Sequence, residues 1–138
     1  MTKSYLEAVR ESGQTVNPLF AFLGARLVAA AQGEARITMP VTRQMTQGGG
    51  VVAGGILATL ADECMAHAVL SLLEPDQNTA TVEMNVRYLR PAPPDKGGEL
   101  VARAEIVKRG RLLHVAAATV HDAEERLLIT AGATFAVR

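Results

Sequence analysis

The sequence predicts an α+β domain in which an antiparallel sheet wraps around one long helix. Three observations carry this. A single apolar stretch, 54–73, has helical periodicity, with Leu57, Leu60, Cys64, Ala68 and Leu72 falling on one stripe. Two strand-like runs precede it and four follow it. The links among the later runs are short enough to be hairpins, which makes neighbouring strands antiparallel and leaves the helix to cover one face.

In chain order, residues about 3–12 and 17–22 read as short helices, the second capped by Asn17 and opened by Pro18. Residues 24–32 and 34–39 alternate loosely and meet at Gln32-Gly33, a hairpin signal. Residues 40–53 form a loop centred on Gln47-Gly48-Gly49-Gly50, and the long helix follows until Glu74-Pro75-Asp76 stops it. Four strands complete the chain: 77–90, 98–109, 112–122 and 126–137. They are separated by Pro91-Ala92-Pro93-Pro94, Arg109-Gly110 and Asp122-Ala123-Glu124-Glu125. No internal repeat, low-complexity tract or linker divides the 138 residues, so one domain, 1–138, is expected.

Composition narrows the function. Formal net charge is zero, which disfavours nucleic acid as a partner and gives no polybasic membrane signal. One cysteine forms no intrachain disulfide, and the first ten residues lack the apolar core of a signal peptide. Asp62, Glu63 and His67 interrupt the apolar helix, which argues against a membrane span. A cytoplasmic protein is expected. With no Trp and only 4% aromatic residues, its core must be aliphatic.

Asp62 is the residue that asks for an explanation. Its helical neighbours at three and four residues are Ala58, Thr59, Met65 and Ala66, none of them cationic, so no intrahelical ion pair accounts for the charge. Two turns earlier the helix opens with Gly54-Gly55. A first helical turn offers unpaired N–H groups and a positive dipole end, and glycine lets a carbonyl approach them closely. Donors of that kind stabilise the oxyanion that forms when a carbonyl is attacked. Eight residues of helix rise about 12 Å, so Asp62 and the glycines of one chain cannot touch the same atom.

The segment from Gln47 through Ala53-Gly54-Gly55 to Asp62, with the later Val82-Glu-Met-Asn-Val-Arg-Tyr-Leu-Arg-Pro91, resembles the hotdog-fold acyl-CoA thioesterases of the phenylacetate-degradation type. The likeness runs from about residue 17 to the C-terminus. The family pattern is an Asn, a His-Gly-Gly six residues on, and a catalytic Asp nine residues after the His. This chain keeps the spacing but carries Gln47 at the Asn position and Ala53 at the His position, with Asp62 at the acid position.

The resemblance implies hydrolysis of an acyl- or aryl-CoA thioester to free acid and CoA, with no metal and no cofactor beyond the CoA of the substrate. It also implies a homodimer or homotetramer whose sites take groups from two chains. Asp62 would then be general base or nucleophile, Gly54 and Gly55 the oxyanion donors, Gln47 a polar helper, and Thr81 the hydroxyl that orients the attacking water. Thr81 alternates on its strand with Glu83, Asn85 and Arg87, a face that otherwise reads as solvated. Arg87, Arg90, Lys108, Arg109 and Arg111, on or near strand ends, are candidates for the phosphates of CoA. Two other readings remain. The Asp62-x4-His67 spacing resembles the enoyl-CoA hydratases of the same fold, but residues five apart on a helix diverge by about 140°. His67 pairs more naturally with Glu63, as an ordinary surface arrangement. The departure at Ala53 suggests the other reading, an acyl-CoA-binding protein without turnover.

Overall fold

The computed structural model describes residues 3–94 and 98–138. Its elements are α1 (Tyr5–Val9), α2 (Pro18–Leu23), β1 (Arg26–Ala31), β2 (Glu34–Pro40), α3 (Gly54–Leu70), β3 (Thr79–Tyr88), β4 (Glu99–Arg109), β5 (Leu113–His121) and β6 (Leu127–Val137). The six strands form one wholly antiparallel sheet in the order β1-β2-β4-β5-β6-β3, with β1 and β3 at its edges.

The expected elements form, mostly shorter at their ends. Ser4 and Glu7 make a reciprocal capping box on α1, and Asn17 caps α2 through the Phe20 N–H ahead of Pro18. Gln32 and Gly33 both take positive φ, 55° and 81°, which the tight β1–β2 hairpin requires. The Gly33 N–H bonds the Ser71 hydroxyl at 2.8 Å, tying that hairpin to the end of α3. The 40–53 loop holds a 3-10 turn, Arg43–Met45, and a bridge between Thr46 and Val52.

The core lies between α3 and the inner face of the sheet. Leu57, Leu60, Cys64 and Ala68 are buried there with Ile37, Met39, Leu100, Ala102, Val120, Ile129 and Phe135, an aliphatic set as composition demands. The Cys64 Sγ bonds the Ala35 carbonyl at 3.4 Å, and burial pushes its pKa up to about 12. This thiol is a packing group rather than a nucleophile.

Leu72 lies beyond the end of the helix and is only half-buried. A larger correction concerns His67, which the sequence placed on the surface beside Glu63. It is 2% exposed. Its Nδ1 donates to the Glu63 carbonyl at 2.7 Å and its Nε2 lies 2.9 Å from the Tyr5 hydroxyl, which also accepts from Asn17 Nδ2. Phe20 stacks on the imidazole with ring centroids 5.1 Å apart. The helical stripe reaches the sheet, but α1 and α2 cover the back of α3, and His67 anchors them. No described helix is long and apolar enough to cross a membrane.

Candidate active site

The site is assembled at the contact between α3 and β3. The Thr81 hydroxyl donates to Asp62 Oδ1 at 2.7 Å, at a half-exposed carboxylate with an exposed partner. Strict alternation would leave Thr81 on the outer face with Glu83, Asn85 and Arg87. The structure places it on the inner face instead. Thr81 pairs with Phe135 and Glu83 with Thr134, so Val82 is an extra residue in the ladder. That β-bulge turns Thr81 toward the helix, a re-aiming for which bulges are suited.

Glu63, the neighbouring acid, points elsewhere. Burial, and secondarily the charge of Asp62, raise its pKa above the ordinary glutamate value, and its own charge acts on Tyr5. The two adjacent carboxyls thus divide between the β3 side and the α1 side of the helix.

Seven residues along β3 from Thr81, Tyr88 reaches the start of α3. Its hydroxyl donates to the Gly54 carbonyl at 2.8 Å. A Cβ on residue 54 would lie 3.1 Å from the ring, whereas one on residue 55 would meet nothing within 4 Å. A side chain at residue 54 would therefore press on the tyrosine ring, whereas Gly55 is open to an incoming molecule. The helix entrance is fixed by the Ala53 N–H bonding the Met45 carbonyl at 2.8 Å and the Val52 N–H bonding the Ala92 carbonyl at 2.9 Å. Ala53 makes no side-chain cap, and the Gly54 and Gly55 N–H groups have no partner among the described residues. Two free donors at a positive helix end form a ready anion site.

The other expected site residues are dispersed. Gln47 sits in the loop ahead of α3, where its side-chain oxygen accepts from the Gly49 N–H. It makes no bond to Asp62, Thr81 or Gly54 among the described residues. Arg87 lies on the outer face opposite Thr130. Arg90 follows β3 at the Tyr88 end, with its N–H on the Leu128 carbonyl at 3.2 Å. Lys108, Arg109 and Arg111 gather around the β4–β5 turn, in the direction of Thr81 across the sheet. Arg109 Nη2 is bonded to the Leu72 carbonyl at 3.0 Å, just beyond the end of α3. One chain therefore does not bring the five cations together.

A sheet holding one long helix, with a carboxylate–hydroxyl pair and a glycine-opened helix start, defines a hotdog-fold thioester hydrolase. Residues 49–129 match the family model described as "Thioesterase superfamily", and the chain belongs to that family. It is similar to a thioesterase family protein of Silicibacter pomeroyi, with 38% identity and a TM-score of 0.81 over 88% of this chain and 89% of that one. A phenylacetic acid degradation-related protein of Ralstonia eutropha is 26% identical at a TM-score of 0.84, over 96% and 98% of the two chains. Human acyl-coenzyme A thioesterase 13 is 31% identical over 82% of this chain and 79% of its own.

Proposed function

We propose that this thioesterase hydrolyses acyl- or aryl-CoA thioesters, with Asp62 as the base and the Gly54-Gly55 turn as the oxyanion site. The Asp62–Thr81 hydrogen bond is the observation that carries the reading. A carboxylate held by a hydroxyl, half-exposed at a helix flank, can orient a water molecule and take its proton. The water oxygen attacks the thioester carbonyl, the carbonyl oxygen becomes an anion stabilised by the glycine N–H groups, and collapse expels the CoA thiolate, which recovers the proton. Gln47 Nε2, uncommitted among the described residues, is available to donate to the substrate carbonyl.

The geometry also supports a site shared between two copies. β3 is an edge strand with exposed Val82 and Tyr88, followed by exposed Leu89, the kind of edge that pairs with another chain. It carries Thr81 beside Asp62 and Tyr88 beside Gly54. With Val82 bulged out, antiparallel pairing of two β3 strands centred on Asn85 sets Met84 opposite Val86 and Thr81 of one copy opposite Tyr88 of the other, on the same inner face. The partner's Asp62 then approaches the glycines that its own chain holds about 12 Å away.

The outer face supports doubling into a tetramer. Arg36 lies directly opposite Arg103, and Glu34 opposite Glu105, around a groove of about 650 Å³ lined by Ala29, Ala31 and Ala117. Like charges side by side are unfavourable, and none of the four makes an ion pair among the described residues. A back-to-back copy related by a two-fold axis between the rows brings each pair against its opposite.

The hydratase reading is the weaker one, because His67 is buried and spent on Tyr5 and the Glu63 carbonyl rather than facing the Asp62 site. Incubation with a panel of acyl-CoAs, following free thiol and enoyl absorbance separately, tests the proposal. Thiol release is expected. Loss of enoyl signal instead would indicate a hydratase, and binding without either signal would indicate a non-catalytic acyl-CoA-binding protein.

A further inference from the structure

We infer that Tyr88 is a positioning residue for the oxyanion site, an inference that rests on the proposed role of Gly54 and Gly55. The Tyr88 hydroxyl donates to the Gly54 carbonyl at 2.8 Å. That carbonyl and the Gly55 N–H are the two ends of one planar peptide unit, so holding the oxygen fixes the direction of the N–H. A donor on the carbonyl also polarises the peptide and strengthens the N–H as a donor. The ring occupies the space a side chain at residue 54 would need, 3.1 Å from the position of its Cβ, while the Gly55 side stays open. Tyr88 thus backs the peptide from one side and leaves its donor free on the other. The side chain is 55% exposed, and it lies on the inner face opposite Ile129 at the end of an edge strand. A core-packing role accounts poorly for a ring so exposed. Ala53 contributes no side-chain bond at this helix start; the tyrosine hydroxyl is the side-chain donor on the Gly54 carbonyl, and Thr59 Oγ1 donates to the next carbonyl, Gly55, at 2.8 Å.

The test is Tyr88→Phe, which keeps the ring over Gly54 and removes only the donor. Steady-state kinetics on acyl-CoA are compared with inhibition by two CoA analogues, a thioether without a carbonyl and a trifluoromethyl ketone whose hydrate presents an oxyanion. We expect kcat to fall about three- to tenfold, the range of one neutral hydrogen bond, with KM and thioether inhibition unchanged. Inhibition by the ketone should weaken by the same factor as kcat. Unchanged kcat, or equal weakening of both analogues, would overturn the inference. Gly55→Pro and Asp62→Asn, measured alongside, separate this failure from that of the underlying reading. If those two keep parental turnover, the oxyanion site itself is misassigned. If they collapse while Tyr88→Phe does not, only the role of Tyr88 is lost.

Discussion

Asp62 and Glu63 are adjacent acids about 100° apart around one helix, and their surroundings assign them different work. Asp62 meets a hydroxyl at the accessible α3–β3 contact, whereas Glu63 is turned into partly buried surroundings that favour its neutral form. Asp62→Asn should therefore leave substrate binding intact and lower turnover by at least about a hundredfold, read from kcat at saturating acyl-CoA. Glu63→Gln should keep activity. Because the Glu63 pKa is raised in the folded state, ionising it weakens the fold as pH rises above the ordinary value of 4.5. Glu63→Gln should thus raise the Tm relative to the parent near pH 7 and lose that advantage near pH 4. An advantage over the parent no larger at pH 7 than at pH 4 would contradict the assignment. Asp62 was legible in the sequence because no neighbour on its helix explained its charge. The direction of Thr81 was not. A bulge at Val82 has no mark in a run of alternating residues, and it emerges only from the pairing with β6. Tyr88 was masked in the same way, reading as one more apolar residue of a strand.

At the scale of elements, the order of two strands, one helix and four strands was readable because the hydrophobic period and the Gly and Pro breaks agree along the chain. The cover over the back of α3 was not, because a contact between His67, Tyr5 and Asn17 spans up to 62 residues of sequence. Burial lowers the His67 pKa below its ordinary 6.5, with the Glu63 carbonyl partly opposing this. A depressed folded pKa gives stability that is present above 6.5 and lost as pH falls through that value toward the folded one. Amide protection factors in α1 and α2, which remove the intrinsic pH dependence of exchange, should fall between pH 7 and pH 5, and His67→Gln should flatten that dependence. The cations make a separate prediction. Neutralising Arg90, Lys108 or Arg111 should raise KM for acyl-CoA more than for a short pantetheine thioester, and the contrast should shrink with salt. Arg109→Ala is expected to lower the Tm as well, since it frees the Leu72 carbonyl. Equal effects on both substrates for every cation would show that none of them reads the nucleotide.

At the scale of the whole molecule, one chain keeps the proposed base, Asp62, and the proposed oxyanion donors, Gly54 and Gly55, at separate points of one helix, and an edge strand touches both. The sequence already contained this distance in the spacing of Gly54 and Asp62, but the register that resolves it depends on β3 being an edge. Light scattering should give a dimer or tetramer. Arg36→Glu with Arg103→Glu should convert a tetramer to dimers that remain active. The most direct measurement is complementation. Asp62→Asn and Gly55→Pro, each inactive alone, are unfolded together, refolded as a mixture and assayed for thiol release from acyl-CoA. A shared site predicts recovery of about a quarter of parental activity at equal mixing, because half the dimers are mixed and each carries one intact site. A mixture as inactive as its components would mean that each site is built within a single chain, and would contradict the mechanism.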